Sequence, residues 1–417
     1  IMTQKQAFEI LKTGRNVFIT GAAGSGKTHL LNEYIKYLKA RGVDPGITAS
    51  TGIAATHMNG MTIHAWSGLG IRDRLSEYDI NGLVKKSHLR RRLDGARVLV
   101  IDEISMFHHF RLDLIDRIIR AFKEVDAPFG GLQVILCGDF FQLPPVSRGG
   151  EEPARFAYHS PAWENLNLKI CYLDEQHRQS DAGFIEILNG IRDDNISEDV
   201  FGRLKSRFGK EAEIGVKPTK LYSHNASVDE ENERELAKMP GEIFKYQMSG
   251  RGRGNLLEAL RKTCLAPDIL RLKKGACVMF VKNNFEAGYA NGTLGVVADL
   301  DDDGIKVKTA SGRMIEVEKA SWTIEDNGEA IARISQYPLR LAWAITVHKS
   351  QGMSLDAAEI DLSRSFERGM GYVALSRVRS LSGLSLLGLN EMALKVNKEV
   401  MEYDKKFRAD SLNHGEE

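Results

Sequence analysis

Short apolar runs alternate with longer segments of helical periodicity over most of the chain. The clearest runs, rich in β-branched residues, lie at residues 17–19, 98–101, 134–136 and 221–222. Most of them are followed by a segment in which apolar residues recur every three or four positions, which is typical of an amphipathic helix. Strands that alternate with helices in this way indicate parallel sheets with crossover helices. The scheme recurs around residues 277–280 and 360–362, so the pattern predicts two α/β lobes.

The pattern changes character between about residues 296 and 337. Strand-like stretches at 304–309 and 314–318 alternate there and are punctuated by glycine and aspartate. We therefore predict a small β-rich insertion in the second lobe. The predicted boundaries are 1–68 and 96–175 for the first lobe, 69–95 for a short insertion within it, 176–295 and 338–417 for the second lobe, and 296–337 for the β-rich insertion.

Composition narrows the class of protein. A chain of 417 residues with 42% hydrophobic residues, 27% charged residues and 10 prolines has the make-up of a folded protein of two or three lobes. Its four cysteines show no CxxC spacing, so a zinc site, an iron–sulfur cluster or a disulfide scaffold has no support. We expect a reducing cytoplasm or an association with the nucleoid. The net charge is only +1, so a nucleic-acid surface would have to be a local groove.

No membrane partner is expected from the hydropathy of the chain. No apolar run approaches the roughly 18 residues of a membrane span. The start, Ile1-Met2-Thr3-Gln4, lacks the charged and apolar regions of a signal peptide.

A glycine-rich loop follows the first predicted strand. Residues 21–28 read GAAGSGKT, which fits the phosphate-binding pattern GxxxxGK[ST] and then continues into a helical pattern. In such a loop the backbone N–H groups and the helix N-terminus surround the phosphates. Lys27 would reach the β- and γ-phosphates, and the Thr28 hydroxyl would ligate Mg²⁺. A glycine turn without a ligand would not explain a Lys-Thr pair at this register. The residues expected to bind the nucleotide here are Gly21, Gly24, Ser25, Gly26, Lys27 and Thr28.

Two carboxylates end a later apolar strand. In VLVIDEIS, Asp102 would hold the Mg²⁺ and its water shell, and Glu103 would polarise the attacking water. An isolated Asp-Glu pair is usually a solvated strand end, but this one stands behind four apolar residues and downstream of a phosphate loop. The next strand ends in CGDFFQLPPV, where Gln142 would sense the γ-phosphate.

Taken together, these segments resemble the PIF (petite integration frequency) DNA helicases of superfamily 1B. The most specific stretch covers residues 103–146 and resembles the segment that links two helicase motifs in that family. RecD-type helicases are a nearer alternative within the same class, and this stretch argues against them. Further matches are TASTGIAA (48–55), GMTIHAWSG (60–68), HRQSD (177–181), AITVHKSQGMSLD (344–356) and YVALSRV (372–378).

The resemblance implies a fold and several nucleotide contacts. Each lobe would be RecA-like, residues 69–95 would form a short wedge-like element, and residues 296–337 an SH3-like domain. Gln4 would read the adenine, with Gln6 as the weaker candidate. Arg178 and Arg377 would reach the γ-phosphate of ATP and neutralise charge on the transferred group. Gly352 would let the backbone approach nucleotide or DNA closely.

The family resemblance also implies a path for one DNA strand, held through its phosphates by hydroxyls, backbone N–H groups and a few cations. Trp66 and Phe141 would either stack on bases or pack in the core, and the basic run 85–92 would either contact duplex or form a solvated helix face. The expected DNA-binding residues are Ser50, Thr51, Gly52, Thr62 and His64 in the first lobe, and Ser223, His224, Asn225, His348, Lys349 and Ser350 in the second.

The resulting expectation is a monomeric, ATP-dependent DNA helicase that moves 5′-to-3′ on single-stranded DNA and unwinds duplex, with forks, G-quadruplexes or other structured DNA as candidate substrates. Its short wedge-like insertion leaves the strength of strand separation open. The alternative is a P-loop ATPase switch that clamps nucleic acid without moving. Paired arginines and matched polar loops in two lobes favour the motor.

Overall fold

The computed structural model describes residues 2–70, 72–145, 155–179, 181–211, 217–222, 228–284, 286–326, 329–365 and 367–413. The chain forms two compact units. The first unit comprises Ile1–His177, Thr323–Ile331 and Glu402–Glu417, and the second comprises Arg178–Trp322 and Ala332–Met401. The Ser223-His224-Asn225 loop lies outside the described residues.

The first unit is built on a parallel six-stranded sheet in the order β3-β2-β4-β5-β1-β6. Its strands are β1 (Val17–Gly21), β2 (Gly46–Ala49), β3 (Met61–Thr62), β4 (Val98–Asp102), β5 (Gln133–Cys137) and β6 (Lys169–Leu173). Strands β1, β4 and β6 are buried along their whole length, because helices cover both faces of a parallel sheet. The parallel sheet predicted for the first lobe is therefore confirmed.

The helices of this unit begin at side-chain caps in several places. Thr3 forms a capping box with Gln6, and Ser76 forms one with Asp79. Two short helices occupy most of the predicted insertion at 69–95. The helices are α1 (Gln4–Lys12), α2 (Lys27–Lys39), α3 (Gly52–His57), α4 (Ile63–Ser67), α5 (Glu77–Val84), α6 (Ser87–Gly95), α7 (His109–Lys123) and α8 (Pro161–Asn165).

The second unit contains a parallel sheet of four strands in the order β18-β7-β19-β20. These strands are β7 (Thr219–Tyr222), β18 (Ala344–Thr346), β19 (Ala358–Leu362) and β20 (Leu384–Leu389). The helices that follow or flank them are α9 (Ala182–Arg192), α10 (Glu198–Lys205), α11 (Val228–Lys238), α12 (Gly254–Thr263) and α13 (Met370–Leu375).

The other sheets of the structure contain antiparallel pairs, which confirms the predicted β-rich insertion. They are a five-stranded sheet in the order β14-β13-β12-β11-β17, a three-stranded sheet β15-β16-β9 and a pair β10-β8. The strands are β8 (Phe244–Gln247), β9 (Ser249–Gly252), β10 (Ile269–Leu272), β11 (Cys277–Phe280), β12 (Leu294–Leu300), β13 (Ile305–Thr309), β14 (Met314–Val317), β15 (Ala320–Asp326), β16 (Glu329–Gln336) and β17 (Leu339–Leu341).

The extent of this region differs from the sequence-based prediction. Residues 277–280 were predicted to continue the parallel scheme, but β11 pairs antiparallel with both β12 and β17. A short, fully buried apolar strand has the same sequence pattern in either kind of sheet, so periodicity does not distinguish them. Antiparallel pairing begins as early as Phe244, within the range predicted for the second lobe.

The C-terminal helix, α14 (Lys398–Asn413), packs on the first unit from Glu402 onward, although the sequence-based boundaries placed it in the second lobe. Phe407 contacts Phe18 of β1 with ring centroids 5.2 Å apart, and the Tyr172 hydroxyl donates to the Asp404 carboxylate at 3.0 Å. These contacts hold the helix because they bury aromatic surface and satisfy a buried polar pair. None of the helices in the described ranges has the length and hydropathy needed to cross a membrane.

Candidate functional site

The glycine-rich loop joins β1 to α2 and takes backbone conformations that favour glycine. Gly21, Gly24 and Gly26 have φ angles of 141°, 88° and 82°. Lys27 begins α2, and its ammonium donates to the carbonyl oxygens of Gly21 and Ala22 at 2.8 and 2.9 Å. The loop therefore curls around the lysine, ahead of the helix N-terminus that favours bound phosphate.

Other loop residues complete this cradle. The Ser25 side chain is fully buried and lies 3.5 Å from the Lys27 ammonium. Thr28, in the first turn of α2, is exposed. A site for phosphate oxygens and for a metal ion needs a fixed cation and an accessible hydroxyl, and Lys27 and Thr28 offer them.

Gln4 and Gln6 lie in different surroundings. The side-chain amide of Gln4 points to the Ser25 carbonyl at 3.5 Å, and it occupies the space that a Cβ on Gly26 would need. The Gln6 side chain accepts a hydrogen bond from the Thr3 N–H at 2.9 Å and so serves the start of α1. The structure thus favours Gln4 as the glutamine beside the phosphate loop.

Asp102 ends β4 at the same edge of the sheet as the phosphate loop, because the strands β4, β5 and β1 are parallel neighbours. Its carboxylate accepts a hydrogen bond from the Glu103 N–H at 2.8 Å. Burial raises the pKa of the Asp102 carboxyl, while hydrogen bonds from the Cys137 thiol and the Glu103 N–H and the charge of Lys27 act to lower it. Burial likewise raises the pKa of the Cys137 thiol, which remains a neutral donor.

Glu103 has a φ of 53°, in the left-handed region that a non-glycine residue seldom adopts. Such strain is frequently found where a catalytic side chain must leave a strand end in a particular direction. The Ser50 hydroxyl donates to the Glu103 carbonyl at 2.6 Å, and the Ser50 N–H donates to the Asp102 carbonyl at 3.0 Å. Ser50 therefore joins the end of β2 to the backbone of the two acidic residues.

Gln142 follows β5 and is buried. Its N–H donates to the Asp139 carbonyl at 3.0 Å, and its side-chain oxygen has no hydrogen-bond partner among the described residues. A buried carbonyl oxygen without a partner is costly, so this oxygen is available to a water or nucleotide. Asp139 and Cys137 were not among the predicted site residues, although both stand in the quoted CGDFFQ segment.

The sequence left two roles open for Trp66 and Phe141, base stacking or core packing, and both residues are buried in the structure. Trp66 is 3% exposed and Phe141 is 4% exposed. The Trp66 ring fills the space beside Gly46, where a Cβ would lie only 2.6 Å from a ring carbon. In this structure both side chains have the burial expected of core residues.

The remaining candidates for DNA contact in the first unit follow β2 and β3. Thr51 caps α3 by accepting from the Ala54 N–H, and Thr62 caps α4 by accepting from the Ala65 N–H. Gly52 is the first residue of α3. His64 is partly buried, and its Nε2 has no partner among the described residues. Burial lowers the pKa of His64 to about 4, so its imidazole is neutral at pH 7.

In the second unit, Arg178 and Arg377 meet at Ser376. Arg178 donates to the Ser376 carbonyl at 3.2 Å, and Arg377 donates to the Ser376 hydroxyl at 2.9 Å. Arg377 is 1% exposed and also donates to the Val373 carbonyl at 3.0 Å. Gln179 donates to the Ser376 carbonyl at 3.1 Å, a role that the HRQSD motif did not reveal. The two predicted arginines thus share one anchoring residue.

The second unit also holds the turn that follows β18. The Lys349 N–H donates to the Thr346 hydroxyl at 3.2 Å, while His348 and Lys349 are partly exposed. Ser350 is fully buried, and its hydroxyl donates to the Val347 carbonyl at 2.8 Å. Gly352 has a φ of 73°, in the left-handed region that favours glycine.

Comparisons with known proteins agree on one family. Residues 2–200 match the model of PIF1-like helicases, and residues 255–300 match that of the 2B domain of the DNA helicase Pif1. The ATP-dependent DNA helicase Pif1 of Psychrobacter sp. (strain PRwf-1) is 46% identical over an alignment that covers 99% of this chain and 71% of that protein. Human PIF1 is 36% identical over 94% of this chain, which spans only 61% of the human protein's length.

Solved structures give the same result. The crystal structure of Bacteroides sp. Pif1 with ADP-AlF4 superposes with a TM-score of 0.85 at 31% identity, covering 98% of this chain and 96% of the other. Two further Pif1 structures are each 31% identical, with a TM-score of 0.62. One is of Bacteroides Pif1 in complex with ADP-AlF3 and single-stranded DNA. The other concerns DNA unwinding at forked duplex DNA by two coordinating Pif1 helicases. The chain therefore belongs to the Pif1 family of ATP-dependent DNA helicases.

Proposed function

We propose that this chain is an ATP-driven motor that moves 5′-to-3′ along single-stranded DNA and unwinds forked duplex. The observation that carries the proposal is the single sheet edge at which the phosphate loop, Lys27 and the buried Asp102 carboxylate come together. Relatives in the same family bind single-stranded DNA and act on forked duplex, which supports the choice of substrate.

Mg²⁺ fits the oxygen donors of this edge. Thr28 offers an exposed hydroxyl, and Asp102 offers a carboxylate that is held by the Glu103 N–H. Bound there with ATP, Mg²⁺ would neutralise charge on the β- and γ-phosphates. Within the chain, Lys27 would exchange its two loop carbonyls for phosphate oxygens, and Gln4 would contact the adenine.

Hydrolysis would use four further residues of the chain. Glu103 would accept the proton of the attacking water, and the unpartnered oxygen of Gln142 would accept a hydrogen bond from that water or report on the γ-phosphate. Arg178 and Arg377, anchored together at Ser376, would neutralise the charge that develops on the transferred phosphoryl group.

The DNA strand would be held mostly through its phosphates. His348 and Lys349 are candidates with partly exposed side chains, and His64 is a candidate whose Nε2 is buried. The hydroxyls of Ser50, Thr51, Thr62 and Ser350 already serve the fold. Those hydroxyls would contribute to DNA binding indirectly, because they hold neighbouring backbone N–H groups, including that of Gly52, in place to donate to DNA phosphates. Ser223, His224 and Asn225 remain candidates from the family resemblance. We propose a monomeric working unit.

The alternative is an ATPase switch that clamps DNA without movement. Both proposals require ATP binding, so the first test is whether single-stranded DNA accelerates hydrolysis. We expect a large stimulation of the ATPase rate and its complete loss in Lys27→Ala, because the substitution removes the ammonium that the phosphate loop surrounds. An ATPase rate close to wild type in Lys27→Ala would refute the phosphate-site assignment.

A further inference from the structure

A pair of arginines lies directly opposite across two antiparallel strands of the second unit. In the register of β9 and β16, Arg251 is the partner of Arg333, and Gly250 is the partner of Ile334. Side chains directly opposite in such a pair have Cβ atoms roughly 5 Å apart, and like charges at that distance repel each other.

The two arginines project from the open face of the sheet. A Cβ on Gly250 would touch Leu257 of α12 and Ile334, so the face that carries Gly250 packs on α12. Successive residues of a strand point to opposite faces, which directs Arg251 and Arg333 away from the helix. Both side chains are exposed, and so is Arg253, which immediately precedes α12.

Arg271 and Lys262 nearby have acidic partners, but these three arginines do not. Lys245 and Arg271 form a similar like-charged pair across β8 and β10, and there Glu233 lies 2.9 Å from Arg271. On α12, Lys262 pairs with Glu258 at 2.6 Å. The side chains of Arg251, Arg253 and Arg333 make no ion pair or hydrogen bond with any residue in the described part of the chain.

We propose that Arg251, Arg253 and Arg333, which we call the arginine strip, bind the phosphate backbone of duplex DNA. This proposal deepens the helicase function and rests on it. A polyanion whose phosphates are a few ångströms apart matches a row of unpaired guanidinium groups, which bind phosphate in a forked geometry.

Duplex fits this face better than a single strand does. Surfaces that hold single strands combine cations with aromatic side chains on which the exposed bases stack. The open face instead presents Ser249 and Ser335 beside the arginines, while the aromatic residues of the surrounding strands, Tyr246, Trp322 and Tyr337, are buried. A charged surface without stacking groups contacts only the phosphate backbone of DNA, as expected for a duplex, whose bases are inside the helix.

The experiment measures how binding depends on salt for two DNAs, a 5′-tailed duplex and the same tail without the duplex. Dissociation constants are determined by fluorescence anisotropy between 50 and 200 mM NaCl. Each phosphate contact to duplex contributes about 0.9 to the slope of log Kd against log salt, so removing two contacts in Arg251→Gln/Arg333→Gln should lower the slope for the tailed duplex by about 1.8. Over this fourfold change in salt, the wild type should lose about tenfold more affinity than the variant.

The matched control is Lys306→Gln/Lys308→Gln. It removes the same charge from exposed positions of β13, where Lys306 lies opposite Glu316. We expect wild-type slopes for this control with both DNAs. For the strip variant we expect a wild-type slope with the tail alone and a wild-type ATPase stimulation by single-stranded DNA.

Several results would overturn the proposal. Equal slope changes in both double variants would show a general charge effect, and an equal change with the tail alone would assign the strip to the single strand. A strip variant that binds tailed duplex like the wild type but no longer binds poly-glutamate would indicate an acidic protein partner instead. A wild type whose ATPase is not stimulated by single-stranded DNA would refute the helicase function. The proposal for the arginine strip is tested separately, by the equilibrium binding measurements alone.

Discussion

His64 gives the most quantitative prediction, because its imidazole is held neutral inside the first unit. The residue lies in α4, beside the ring of Phe107. Burial is the main cause that lowers the pKa of His64 to about 4, and the charge of Arg111 lowers it further. Asp73, which pairs with Arg111 at 2.6 Å, opposes that shift.

The shift predicts a loss of stability in acid. An unfolded histidine has a pKa of about 6.5, so between pH 6.5 and 4 the unfolded chain binds a proton that the folded chain does not. Stability from this group is therefore fully present above about pH 6.5 and falls as the pH is lowered toward 4. The difference of roughly 2.5 pH units corresponds to about 3 kcal/mol in total, of which about 2 kcal/mol is lost by pH 5.

The assay compares urea unfolding of the wild type and His64→Gln at pH 8.5, 7 and 5, followed by tryptophan fluorescence. The wild type should lose about 2 kcal/mol more than the variant between pH 7 and 5, and the two should change in parallel between pH 8.5 and 7. Parallel change over the whole range would refute the inferred burial of a neutral imidazole. If His64 also contacts DNA, the variant should bind single-stranded DNA more weakly at pH 7 with an unchanged salt slope, because a neutral group releases no counterion.

Two further predictions concern the nucleotide. Gly26→Ala should reduce the preference for ATP over GTP as Gln4→Ala does, because the added Cβ displaces the Gln4 amide. The control is Gly14→Ala, which has a similar positive φ and no atom nearby, so it should lose similar stability and keep the preference. Equal selectivity in all three variants would exclude Gln4 as the adenine contact. Arg377→Ala and Arg178→Ala should each slow hydrolysis by roughly 10³-fold or more with little change in ATP affinity, because such arginines act on transition-state charge. Weakened ATP binding at an unchanged turnover number would instead make these arginines ligands of the ground state.

The sequence predicted the strand, glycine loop and helix that carry the candidate phosphate-site residues, because their signal is local. A glycine loop, a lysine and a helix start are contiguous, and Asp102 stands at the end of a run of buried residues. The six-stranded sheet then brings these segments together through parallel pairing that any strand–helix alternation implies. The sequence also preferred Gln4 to Gln6, and the structure adds that the Gln6 side chain serves the capping box of α1.

Features that depend on distant contacts were not predictable. The antiparallel pairing of β11 with β12 and β17 leaves no distinct trace in four buried apolar residues. The docking of α14 on the first unit rests on Phe407 and Asp404, whose partners lie more than two hundred residues earlier in the chain. The anchoring of Arg178 and Arg377 at Ser376 likewise joins segments far apart in sequence.

The most direct test of the motor is the unwinding of duplexes with a 5′ or a 3′ tail by the wild type and Glu103→Gln. The substitution keeps shape and hydrogen bonding but removes the carboxylate that accepts a proton from water, so ATP and single-stranded DNA should bind normally while hydrolysis fails. The wild type should unwind the 5′-tailed duplex with ATP and spare the 3′-tailed one, and Glu103→Gln should unwind neither. Equal unwinding of both tails by the wild type would contradict the polarity, and strand release by Glu103→Gln would contradict the motor itself.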